Sequence, residues 1–376
     1  MSHVAHPPPD LPSRIPSLDG LRAFSVALVL IGHVAATAGA PAWMDKPAIT
    51  SLGNIGVRFF FLISGFLITT LLLREHARTG RIDLGQFYLR RAYRILPAAL
   101  TYIGLMWAAY LLGWIDLRMH VGSRTQVDSA LPDLLHALTF TANYQHDYNW
   151  YFNHLWSLSV EEQFYLLWPF ILVYLGLRRG AWCALAALLL CPFIRLAMAT
   201  WGNGPEIALN REFQAIADAL ATGCLAALLH TRISQMPALR AFLTHPVLPL
   251  LAGGVFIGMG YGSALVSRPF AYVAGQMFSN LGIILILQHA VRTPQGLAGQ
   301  VLNLRPLAYI GAMSYSLYLW QEPFLYFYVD SWPTRFPQNL LLSFAAAWLS
   351  YQYIEQPFLR LKERLHPASP AIRSRA

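Results

Sequence analysis

Arg22 and His33 stand eleven residues apart in the stretch SLDGLRAFSVALVLIGH, residues 17–33. On a helix turning about 100° and rising about 1.5 Å per residue, they lie within about 20° of one face and about 16 Å apart. A flat, permanently charged guanidinium suits phosphate, and an imidazole suits proton transfer near neutral pH. The pair fits a long anionic ligand held at one end by Arg22 and reacting at the other beside His33. The same helix also fits an arginine that snorkels to headgroups and a histidine with one interhelical hydrogen bond.

Three further stretches bear on that choice. In FYLRRAYRILP, residues 87–97, Arg90, Arg91 and Arg94 form a compact anion site or an anionic-lipid contact. In NHLWSLSVEEQFYLLWP, residues 153–169, Glu161 and Glu162 are adjacent, so they face about 100° apart. One of them is expected to point into the bundle, with Ser157 or Ser159 as helix cap. In FFFLISGFLIT, residues 59–69, Ser64 and Gly65 are read as a close-packing pair; Ser64 lacks the flanking glycines of a nucleophile elbow. Ionisable groups inside apolar runs are functional candidates by default. Besides Arg22, His33 and the two glutamates they are Arg58, Arg195, Asp218 and Glu322, with Asp19 at the mouth of the first run.

These residues need a frame, and composition supplies one. The chain of 376 residues is 56% hydrophobic and only 12% charged, where a soluble domain averages about a quarter. The pattern predicts an all-α polytopic membrane protein. Apolar runs long enough to span number about ten, near 20–38, 53–73, 96–115, 158–177, 181–201, 213–230, 247–266, 270–291, 306–328 and 338–356. Arginines crowd the loops on one side, including Arg74, Arg78, Arg81, Arg178, Arg179, Arg232, Arg240, Arg292 and Arg305. The other side carries only Lys46, Arg118, Arg124, Arg211, Arg268 and Arg335. The asymmetry predicts both termini on the cytoplasmic side. The Pro-rich start has no cleavage-like site, so the first helix is expected to stay as an anchor. Residues 1–14 and 366–376 read as disordered tails around a transmembrane domain at 15–365. Cys183, Cys191 and Cys224 sit in apolar runs as packing residues. His146, Asp147 and His154 lack a metal-ligand spacing, and no metal is expected. The segment NYQHDYNWYFNHLW, residues 143–156, reads equally as a sugar-stacking surface and as a membrane-interface belt.

Seven ordered stretches resemble the acyltransferase-3 family of integral membrane acyltransferases: LDGLRAFSVALVLIGH, GNIGVRFFFLISGFLIT, FYLRRAYRILP, HLWSLSVEEQFYLLWP, DALATGCLAALL, GAMSYSLYLWQEPF and YIEQPFLRLKER. The resemblance runs from about residue 16 to about 360. Members of that family acylate sugars of bacterial surface polysaccharides and lipopolysaccharide, and some antibiotics and other small acceptors. The resemblance implies that His33 is essential for transfer, and that Arg22, Arg90, Arg91 and Arg94 contact acyl-CoA phosphates. It also implies that Glu161 is the regular acid, Glu162 a variable one, Asp218 the sixth-span acid, and Arg195 an arginine often found in span five. One departure stands out: where many members have histidine after SYSLYLW, this chain has Gln321, followed by Glu322. The extra soluble hydrolase-like domain of some members is not in this sequence.

On this reading no cofactor is permanently bound, and acyl-CoA, expected to be acetyl-CoA, is the co-substrate. Transfer is to a hydroxyl of a cell-surface or lipid-linked carbohydrate in the bacterial cytoplasmic membrane. His33 acts as base and Glu161 orients the imidazole or binds the acceptor. Asp19, Arg58, His154, Trp156, Glu162, Arg195, Asp218, Gln321 and Glu322 are candidates for substrate contact. Membrane lipid is the further partner, and no nucleic acid is expected. The alternatives are a small-molecule or antibiotic acceptor, a transporter or flippase of a lipid-linked sugar, and a scaffold that has lost activity.

Overall fold

The computed structural model describes residues 15, 17–120, 123–202 and 206–365. The tails expected at 1–14 and 366–376 lie outside the described residues. The architecture is all-helical; among the described residues the only extended pairings are two isolated bridges, Met119 with Gln126 and His120 with Asn149. The helices that build the site are α1 (Leu18–Val34), α2 (Leu52–Thr79), α3 (Leu84–Leu111), α4 (Leu155–Trp201), α5 (Phe213–Leu228), α6 (Leu248–Val266), α7 (Gln276–Arg292), α8 (Arg305–Ala312), α9 (Ser314–Trp320) and α10 (Gln338–Ser350).

Among the described residues five helical stretches are long and apolar enough to cross a membrane: Pro47–Thr79, Leu84–Leu111, Trp150–Trp201, Leu248–Val266 and Arg268–Arg292. The shortfall from the ten expected runs has physical causes. α1 has 17 residues and α5 has 16, at or under the lower end of the about 17–25 that a crossing takes. The run expected at 306–328 is split, since α8 stops at Ala312 and α9 at Trp320. The runs expected at 158–177 and 181–201 belong to one 47-residue stretch, α4. Straight, it would be about 70 Å long, more than twice a hydrocarbon core of about 30 Å. It breaks at Gly176, whose φ of 79° and ψ of 165° only glycine adopts readily.

α1 runs through the middle of the bundle, with Leu21, Val26 and Val29 fully enclosed. α2 packs against α1, and α2 and α5 cross each other at backbone contact. A Cβ on Gly65 would fall 2.1 Å from the Leu220 carbonyl oxygen, and one on Gly223 2.2 Å from that of Leu62. Small residues are the means by which membrane helices approach closely. Gly223→Val is therefore expected to force α2 and α5 apart and destabilise the protein by about 2 kcal/mol or more. A thermal midpoint in detergent equal to that of the native protein would contradict this. Between α3 and α4 the chain folds back onto itself. Asp133 is 2% exposed and accepts from the Asn149 amide (3.0 Å) and from the side chains of Asn149 and Gln145.

Candidate active site

The end of α1 brings His33 into a chamber lined by Val29, Asn54, Asn153, His154, Trp156, Arg211 and Tyr318, among others. His33 Nδ1 lies 2.8 Å from Gln321 Oε1 and 3.6 Å from Glu322 Oε2. The Gln321 amide is oriented by its other end, where Nε2 donates to Glu322 Oε2 at 2.6 Å. Its oxygen therefore faces the ring and accepts from Nδ1–H. That tautomer leaves Nε2 with a free lone pair. Gln321 thus holds the imidazole ready to take a proton, although it cannot itself shuttle one. Glu322 is fully buried. Its backbone carbonyl accepts from Trp150 Nε1 at 2.7 Å, and the Trp150 ring lies 5.9 Å from His33. The sequence reading had Glu161 orient the imidazole or bind the acceptor; the carboxylate beside the ring is Glu322. His154 packs edge-on against Tyr102, with Nδ1 4.0 Å from Glu322.

Arg22, three turns back on the same face of α1, lines a second chamber with Arg91, Arg94, Ser64, Glu161 and Tyr165. Glu161 Oε1 accepts from Ser64 Oγ at 2.7 Å, and Oε2 from Tyr165 hydroxyl at 3.1 Å. The Arg91 guanidinium lies 5.2 Å from the Tyr165 ring centre. Arg22 also approaches Asp19, at 4.0 Å. Arg90 is not on this wall; it pairs with Glu75 at 2.9 Å. Val57 and Tyr318 belong to the linings of both chambers. The Tyr318 hydroxyl is held between Ser157 Oγ (2.5 Å) and the His154 carbonyl (3.0 Å).

Three candidates gather elsewhere. Arg195 is fully buried, donating to Asp218 Oδ2 at 3.0 Å and to the Tyr272 carbonyl at 2.9 Å. Arg58 stands 4.0 Å from Asp218 and donates to Asn280 at 2.7 Å and to Gln276. This cluster ties α2, α4, α5 and α7 together and lines neither chamber. Glu162 is turned away from the chamber that its neighbour lines. Among the described residues no three His, Cys, Asp or Glu side chains gather as metal ligands; His146 pairs with Glu212 at 2.8 Å.

Sequence reasoning missed three residues. Arg211 counted only as a loop charge, and nothing in the spacing marks it. Tyr318 sits within a quoted motif but carried no role. Glu355 is an acid inside the run 338–356, a signal that was available. It is buried in the π-helical turn Tyr351–Glu355 and accepts from Ser316 Oγ at 3.1 Å.

A family model described as an acyltransferase domain matches residues 15–351. The chain is 30% identical to O-acetyltransferase OatA of Staphylococcus aureus, over 92% of this chain and 57% of that protein. It is 28% identical to the putative peptidoglycan O-acetyltransferase YrhL of Bacillus subtilis, over 91% and 54%. It is 27% identical to peptidoglycan O-acetyltransferase OatA of Listeria monocytogenes, over 91% and 55%. The chain thus spans little more than half the length of these relatives. No solved structure matches it. With the match covering nearly every helix that walls the two chambers, the chain belongs to this family of membrane acyltransferase domains.

Proposed function

We propose that the protein moves an acetyl group from cytoplasmic acetyl-CoA to a hydroxyl of a cell-wall or lipid-linked carbohydrate, in the bacterial cytoplasmic membrane with both termini inside. One observation carries the reading. A single helix face, that of α1, supplies Arg22 to a chamber that also holds Arg91 and Arg94, and His33 to a second chamber, and the two meet at Tyr318 and Val57. The relatives named as O-acetyltransferases support the acyl group and the carbohydrate acceptor. Arg22, Arg91 and Arg94 hold the phosphates of CoA at the cytoplasmic mouth, where planar bidentate donors suit them. The thioester reaches past Tyr318 to His33.

His33 Nε2 takes the proton from the acceptor hydroxyl as its oxygen bonds to the acyl carbon. The carbonyl electron pair moves onto oxygen. On collapse the carbon–sulfur bond breaks and the CoA thiolate takes the proton from the imidazolium, giving ester and free CoA. The Gln321–Glu322 pair holds the ring and offsets its transient positive charge.

Labelled acetyl-CoA supplied to the purified protein in lipid, with a panel of peptidoglycan fragments, polysaccharides and lipid-linked sugars, tests this. Label on a sugar is the expected result. Passage of a lipid-linked sugar across the bilayer with no acetyl-CoA consumed would overturn the reading in favour of a flippase.

A further inference from the structure

We propose that Arg211 holds the oxyanion that forms on the acyl carbonyl when the acceptor hydroxyl adds to it beside His33. This rests on the transfer proposed above. Arg211 is the one permanent cation in the lining of the His33 chamber. It is 8% exposed, and among the described residues no carboxylate lies within ion-pair distance of it. A buried guanidinium without a counter-ion is costly. Such a charge persists where a ligand, or a charge that develops on one, supplies the partner.

Its setting also fixes its orientation. Nη2 donates to the Tyr148 hydroxyl at 2.9 Å. The guanidinium carbon lies 4.4 Å from the Tyr148 ring centre and 5.5 Å from that of Trp156. Nη1 is buried and has no hydrogen-bond partner. One arm of the fork is spent on positioning, and a second, held rigid by two aromatic rings, is left without a partner. A donor fixed in advance at the place where negative charge will appear does not have to reorganise during the reaction. Arg211 and His33 line the same chamber, which places the guanidinium at its reacting end.

A permanent carboxylate on the acceptor would be the other natural partner. It would bind before the reaction as tightly as during it, and so would act on the acceptor KM and leave kcat unchanged, an outcome that the test below separates from the oxyanion role. The sandwich by Tyr148 and Trp156 also gives the aromatic segment 143–156 a function besides a membrane-interface belt.

The test compares native protein with Arg211→Gln, Arg211→Lys and Arg211→Ala in lipid, with acetyl-CoA and the acceptor that the native protein uses. Arg211→Gln is expected to lower kcat about 100-fold or more, with acetyl-CoA affinity within about twofold of native because that end is held by other arginines. Arg211→Lys is expected to lose at least about tenfold, since an ammonium on a flexible stem lacks the planar fork that is held by Tyr148 through one arm while the other stays aimed at the oxyanion. Added guanidinium is expected to restore part of the rate to Arg211→Ala, which repair of a merely structural defect would not do. If Arg211→Gln loses acetyl-CoA binding through misfolding, the folded lysine variant decides. A kcat within threefold of native in the variant that decides, or a raised acceptor KM with kcat unchanged, would overturn the inference. If the native protein itself transfers nothing, the acyltransferase reading fails and this inference with it. If the native protein transfers and Arg211→Gln matches it, only the inference fails.

Discussion

His33→Ala is expected to lower acetyl transfer by about 10³-fold or more while acetyl-CoA still binds. A positioned general base contributes about 10²–10⁴, and no second group in the chamber can take its place. His154 has its Nδ1 4.0 Å from Glu322 but packs between Tyr102 and Tyr318 and lacks a hydrogen-bonded carboxamide to set its tautomer. His33→Gln should fail as completely, because glutamine can hydrogen-bond to Gln321 but cannot accept the proton. On the proposed reading the donor is gripped about 16 Å away along the helix by the arginines. Its dissociation constant, measured by calorimetry on detergent-solubilised protein, should therefore stay within about twofold of native. Transfer by His33→Ala at a tenth of the native rate would rule out its role as base.

Replacing both Arg91 and Arg94 with alanine is expected to raise the acetyl-CoA KM by about 10²-fold or more, with a smaller effect on kcat. Hydrogen bonds to charged groups contribute about 1.5–3 kcal/mol each, and two are removed. Arg90→Ala should leave the KM within about twofold. Its guanidinium is tied to Glu75 and half-exposed, where a surface pair adds about 0–1 kcal/mol. Helical spacing alone would group Arg90 with Arg94. The structure sets Arg91 and Arg94, three residues apart, on the chamber wall instead. An initial-rate series in acetyl-CoA for the three proteins separates the two groupings, and a large KM rise in Arg90→Ala alone would favour the spacing.

The parts of this architecture that spacing governs were legible. Arg22 and His33 share one helix, so their common face followed from the turn angle, and each lines a chamber. Gly65 announced a close helix crossing. The parts that depend on distant segments were not. Glu322 reaches the imidazole across 289 positions of sequence, and Arg211 becomes part of the site only because the loop before α5 folds under Tyr148 and Trp156. Arg58, Arg195 and Asp218, singled out as intramembrane charges, gather with one another and bind helices together away from both chambers. The expected span count and the five long apolar helices differ where helices are a residue or two short or are broken, features that hydropathy averages away and that Gly176 makes visible.

Tyr318 has a consequence for the cell as a whole. A protein that takes its donor from one side of a membrane and serves an acceptor on the other risks becoming a pore. A potential of 100 mV drives each elementary charge with about 2.3 kcal/mol, so even a narrow open passage would drain the gradient that powers the cell. On the proposed transfer the acetyl group passes Tyr318, the phenol common to the two linings and pinned by Ser157 and a backbone carbonyl, so the point at which such a leak would open is occupied by a fixed side chain.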